Sequence, residues 1–251
     1  MSNESDINEL ALKLGISADR FERNMATYRA MTEVFPLLEI EECKVGLFGG
    51  TALNKIYFGK EQRLSYDIDI MAYSYDKTVG VLERGGATVK YAGAFPGRET
   101  KSTKMLYKGI ELDILSVKRT LEEPKKVLLT DLLFYYGQHM PQIAVHSYSI
   151  EYLMAEKLMA MGNRNELKDI YDSWLGTKLL KNKKQFSIYL KKNAKTVGIE
   201  NACKYLDIQI EGMLANEAYY KKKNIEVVYQ PDFKLMLRDI RVFIGTLGNL
   251  H

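Results

Sequence analysis

Gly49-Gly50-Thr51-Ala52-Leu53, with Arg63-Leu64-Ser65-Tyr66-Asp67-Ile68-Asp69-Ile70 close behind it, is the stretch that decides how the chain is read. The run before it, Lys44-Val45-Gly46-Leu47-Phe48, is short and apolar and closes on two glycines, which predicts a buried strand ending in a tight turn. Thr51 to Phe58 then reads as a helix. A Gly-Gly turn at a helix start leaves backbone N–H groups pointing outward with no Cβ in the way. The helix dipole adds to their pull on an anion, so the place suits phosphate. Tyr66 to Met71 reads as a strand. Side chains two apart on a strand share a face, so Asp67 and Asp69 project together while Ile68 and Ile70 face the other way. Two adjacent carboxylates repel unless a cation sits between them, and hard oxygen donors suit Mg²⁺.

Either half alone fits a plain turn or a solvated edge. Together, with Arg63 and Ser65 leading into the acidic pair, they resemble the signature of nucleotidyltransferases of the DNA polymerase β superfamily, in which Gly-Gly or Gly-Ser precedes an Asp-x-Asp strand. The fuller form GGTALNKIYFG…RLSYDIDI resembles the AbiEii/AbiGii toxin family, also called MenT-type nucleotidyltransferases.

At 251 residues the chain has room for one large domain or two modest ones. A composition of 46% hydrophobic and 27% charged residues is that of a soluble globular protein. No apolar run approaches a membrane span, and the opening MSNESDINEL is polar and acidic, unlike a signal peptide. Cys43 and Cys203 have no Cys or His at ligand spacing, which excludes a disulfide scaffold or zinc site and fits a reducing cytoplasm. Residues 1–150 carry 19 basic and 20 acidic side chains, whereas 151–251 carry 17 and 12. The basic second half is either a lysine-rich solvated surface or a face for a nucleic-acid backbone, and charge alone leaves both open.

Around the central stretch, helices are expected over 6–14, from 18 to about 35 with Ser17 as N-cap and Pro36 at the end, and over 76–84 before Gly85-Gly86. Strands are expected over 87–91, 103–107 and 110–117, the last two joined by a turn at Lys108-Gly109. Glu111-Leu112-Asp113-Ile114-Leu115 alternates polar and apolar, so Asp113 either lies on a solvated edge or completes a three-carboxylate site with Asp67 and Asp69. The aromatic patch over 132–136 reads as packing, and His139, His146 and His251 are assigned no chemistry. Ser149 is expected to cap a helix over 150–161, with another after Gly162-Asn163 and three more over 185–195, 199–218 and 232–247.

In this second half Lys157 lies in a mainly apolar helix, either snorkelling outward or turned into a site. Ala155-Glu156-Lys157-Leu158-x-Ala160 and, beyond Arg164, Asp169-Ile170-Tyr171-Asp172 resemble the second motif of the same toxin family; position 168 is Lys where the family commonly has Arg. The two motif blocks span roughly residues 46–175.

The resemblance implies an α+β fold: a nucleotidyltransferase-like mixed sheet with flanking helices over 1–145, then a helical bundle over 146–251 that contributes Lys157 and Asp169 to the site. It implies transfer of NMP from an NTP with Mg²⁺ held by Asp67 and Asp69, and with Asp113 either completing the metal shell or drawing the proton from the attacking hydroxyl. The triphosphate would lie on Gly49, Gly50 and the hydroxyl of Thr51 or Ser65, with Arg63 beside them. Lys157 would neutralise phosphate charge and Asp169 would orient Lys157 or the nucleotide. The acceptor would be RNA, foremost the 3′ end of tRNA, and the partner a cognate antitoxin in the cytoplasm. A small-molecule acceptor of the antibiotic-modifying kind and a non-catalytic nucleotide-binding module are the alternatives.

Overall fold

The computed structural model describes residues 4–13, 15–94, 101–118, 120–129, 142–194, 199–221 and 231–247. The aromatic patch over 132–136, His139 and His251 lie outside the described residues. The chain divides into two compact units, Met1–Tyr148 and Ser149–His251. A boundary after residue 145 would cut a strand, since Ala144–Ser147 pairs with the sheet.

The first unit opens with helices α1 (Glu4–Lys13) and α2 (Ala18–Ile40). Strand β1 (Val45–Phe48) leads straight into a helical segment made of α3 (Gly49–Ala52) and a π-helical turn, Leu53–Tyr57. Then come β2 (Asp67–Ala72), α4 (Tyr75–Arg84), β3 (Thr88–Ala94), β4 (Lys101–Tyr107), β5 (Ile110–Ser116), β6 (Lys125–Leu128) and β7 (Ala144–Ser147). Among the described residues these strands make one 7-stranded sheet in the order β3-β4-β5-β2-β1-β7-β6. It is mixed: β2 runs parallel to β5 and β1 parallel to β7, while the other neighbours are antiparallel.

Period-two alternation sorts the sheet into two faces. Leu47, Ile68, Ile70, Leu112, Ile114 and Met105 are fully buried on one, where α2 and α4 pack. The acidic residues of β2 and β5 occupy the other. The chain reverses between β4 and β5 through Lys108 and Gly109, both at positive φ (48° and 84°), the geometry of a type I′ hairpin turn.

Two expectations give way. Helix α2 does not stop before Pro36 but runs through it to Ile40. An interior proline costs a helix about 3 kcal/mol. Leu38, fully buried beyond the proline, returns roughly 1.5–3 kcal/mol toward that cost by packing the added turn. The short strands β6 and β7 were not expected. Both are four residues long, too short for a periodic signal, and β7 is held by pairing with β1 and by Ser147 Oγ donating to Leu47 O at 2.7 Å.

The second unit is helical: α5 (Ile150–Arg164), α6 (Leu167–Leu179), α7 (Lys183–Asn193), α8 (Ile199–Ala215), α9 (Glu217–Lys221) and α10 (Phe233–Leu247). Ser149 caps α5 by accepting from Tyr152 N at 3.3 Å, and left-handed Asn165 (φ 54°) closes it. Helix α5 packs on α6, α7 and α8, and α10 covers α6 and α8.

Candidate active site

The register of the sheet sets five side chains in one transverse row. Phe48 on β1 lies opposite Asp69 on β2, Asp69 opposite Asp113 on β5, Asp113 opposite Lys104 on β4, and Lys104 opposite Tyr91 on β3. Asp67 stands opposite Glu111 one step along. Partners in register share a face, so Asp67, Asp69 and Asp113 come together on the face away from α2 and α4. This pairing, rather than the edge placement, is where the structure puts Asp113.

Gly49 is fixed to glycine twice over. Its φ is +72°, and a Cβ there would fall 2.2 Å from Asp69 Oδ2. The backbone of the Gly-Gly segment therefore comes directly against the carboxylate, with no side chain between them.

Asp67 is held from below by a buried polar chain. Thr51 Oγ1 and Ser65 Oγ are 2.6 Å apart; Thr51 donates to Asp67 O at 2.6 Å, and Ser65 reaches Asp67 Oδ1 at 3.3 Å. Ser65 N donates to Asn24 Oδ1 (3.3 Å), which also accepts from Lys55 Nζ (2.6 Å). Asn54 ties the segments together, donating to Gly50 O and accepting from Arg63 N, both at 2.7 Å. Thr51 and Ser65 are at most 1% exposed and Arg63 is 8% exposed, its guanidinium turned to Leu64 O at 3.1 Å. The Thr51 and Ser65 hydroxyls, expected to hold the triphosphate, are here engaged with each other and with Asp67, and Arg63 with Asn54 and Leu64. Sequence reading passed over Lys55, Asn24 and Asn54, although polar residues inside apolar helical runs were the signal that could have found them.

Asp113 is half-buried, and that burial lifts its carboxyl above the ordinary aspartate value, with Lys104 pulling the other way. Lys104 Nζ sits 2.6 Å from Glu111 and 3.6 Å from Asp113. Its own value is raised, chiefly by the hydrogen bond to Glu111. Such a carboxylate, next to Asp69 and reachable from solvent, can take a proton from a hydroxyl. The donor set of Asp67, Asp69 and Asp113 is all hard oxygen, which fits a divalent cation of the Mg²⁺ type. Among the described residues no three or more His, Cys, Asp or Glu side chains stand close enough together to hold a metal ion as they are placed here.

In the second unit, Lys157 and Asp169 meet. Lys157 Nζ lies 2.9 Å from Asp169 Oδ1 and 3.1 Å from Asp172 Oδ2, with both carboxylates fully buried and the lysine 6% exposed. Arg164 adds a second cation to Asp169 through Nε at 3.1 Å and Nη2 at 3.0 Å. The planar, two-point contact is thus made by Arg164, while Lys168 pairs with Glu166 on the surface. His146 is exposed on β7 and joins neither cluster.

The family profile described as "Nucleotidyl transferase AbiEii toxin, Type IV TA system" matches residues 39–195. The fold is shared with MenT4, a nucleotidyltransferase toxin of Mycobacterium tuberculosis H37Rv, at 16% identity and a TM-score of 0.66, covering 100% of this chain and 91% of that one. It is shared also with JHP933 of Helicobacter pylori, at 14% identity and a TM-score of 0.55, covering 91% and 93%. No curated protein matches the sequence. Among the described residues no helix is long and apolar enough to cross a membrane.

Proposed function

The chain belongs to the AbiEii nucleotidyltransferase toxin family, and from that premise we propose that it transfers NMP from an NTP to an RNA hydroxyl, foremost at the 3′ end of tRNA, as the toxin of a toxin–antitoxin pair in the cytoplasm. The observation that carries the reading is the register that sets Asp69 beside Asp113 while Gly49 brings bare backbone against Asp69.

Asp67 and Asp69, with Asp113 beside them, would hold Mg²⁺, which when bound neutralises phosphate charge and steadies the attacking and leaving oxygens. The N–H groups of Gly49 and Gly50 bind the triphosphate, and the Thr51–Ser65 pair keeps Asp67 in place. The acceptor oxygen forms its bond to the α-phosphorus as the bond to pyrophosphate breaks, and the hydroxyl proton passes to Asp113. Lys157 offsets phosphate charge, and Asp169, through the contact it already makes with the ammonium, orients it. These two roles rest on the motif resemblance.

The test is to incubate the protein with each labelled NTP, Mg²⁺ and total RNA and to ask which pool takes up label. Label in the tRNA band is expected. Label only on an added aminoglycoside, with none on RNA, would replace the acceptor with a small molecule; no label anywhere would favour a non-catalytic module.

A further inference from the structure

Beyond Asp113 the transverse row ends in an aromatic ring. Tyr91 is 60% exposed on β3, an edge strand of the sheet, so its ring is open to a ligand. Its phenol end lies over Gly93: a Cβ at Gly93 would be 2.4 Å from Tyr91 Oη and 2.8 Å from Cζ. The ring therefore leans along β3 over a residue that has no side chain to lift it. Tyr91, Gly93, Ser102, Lys104 and Asp113, with Phe48 opposite, line a cavity of about 310 Å³. That volume is in the range of small-molecule sites, roughly 300 Å³ upward.

We propose that this cavity is the seat of the acceptor's terminal nucleotide, with its base stacked on Tyr91 and its ribose hydroxyl delivered to Asp113; the proposal rests on the nucleotidyltransferase reading above. Three things argue for it. In-line displacement needs the acceptor on the side away from the leaving pyrophosphate, and the phosphate-binding Gly49 backbone lies at the other end of the row. Tyr91 stands two strands from Asp113, about 10 Å at the usual spacing of neighbouring strands, a reach that suits a base at one end and a ribose hydroxyl at the other. The chemistry of the lining suits a nucleobase: the exposed aromatic face of Tyr91 stacks with any base, while the ammonium of Lys104 on the floor is engaged by Glu111.

The test uses the full chain carrying Asp69→Asn, so that no turnover intrudes, titrated into an RNA oligonucleotide with 2-aminopurine at its 3′ end. Stacking should quench the fluorophore. Tyr91→Phe should keep the quench, because it keeps the ring. Tyr91→Leu should abolish it and weaken binding about 10-fold. Gly93→Val, which fills the space under the ring with a residue that strands favour, should do the same without touching Tyr91 itself. No quench with Tyr91 in place, or an equal quench with Tyr91→Leu, overturns the proposal. Label transfer by the wild type separates the two ideas: transfer without quench removes the stacking seat alone, and quench without transfer leaves a stacking site for an RNA end but removes the nucleotidyltransferase reading and the acceptor role that rests on it.

Discussion

Gly49 shows how much one position can decide. Left-handed φ alone would cost an alanine there about 1–2 kcal/mol, and a Cβ would also displace the Asp69 carboxylate. Gly49→Ala is therefore expected to lower turnover by orders of magnitude, as Asp69→Asn should, with only a modest fall in melting temperature. Gly86 is the control. It too has positive φ (+98°), but its Cβ would meet nothing within 4 Å, so Gly86→Ala should show similar strain and full turnover. Equal turnover of the two variants would disconnect Gly49 from the site. The sequence makes the glycine legible as a turn and the aspartates as one face, because both follow from local chemistry. The carboxylate standing against Gly49 is not legible, since it is a contact between two segments and not a property of either.

At the level of elements, the α5–α6 pair is held by a charge cluster as well as by packing. Lys157 is the shared cation of two fully buried carboxylates, so Lys157→Ala should destabilise the protein by about 3–5 kcal/mol, read by chemical denaturation. A loss under about 1 kcal/mol would show that the cluster does not hold the helices. Activity per folded molecule, measured well below the lowered midpoint, then isolates any phosphate contact: it drops by orders of magnitude if Lys157 touches substrate and stays level if it does not. The sequence placed Lys157 on an apolar helix and Asp169 and Asp172 three apart on the next. Periodicity gives such faces, but which faces meet is tertiary information. The same limit hid β7, whose pairing with β1 joins residues 100 apart with no local pattern, and with it β6, which pairs with β7; it also hid α2 beyond Pro36.

For the whole molecule, the charge asymmetry becomes a testable quantity. Residues 151–251 carry 17 basic against 12 acidic side chains, and RNA held along such a surface releases counterions. Affinity for RNA is expected to fall roughly 10-fold or more between about 50 and 200 mM salt. An affinity that ignores salt over that range would return those lysines to the role of a solvated surface. The family and the sheet were legible from two short motifs, because a nucleotide site needs glycine backbone and paired carboxylates at fixed spacing whatever the rest of the chain does. The acceptor's seat was not, because Tyr91, Lys104 and Asp113 meet only through strand pairing. The most direct measurement of the central claim is single-turnover pyrophosphate release from NTP in the presence of RNA, comparing the wild type with the variant in which Asp67 and Asp69 are both asparagine. The wild type should release pyrophosphate in step with label on RNA, and the variant, folded and melting as before, should release none; release by the variant at the wild-type rate would contradict the assignment.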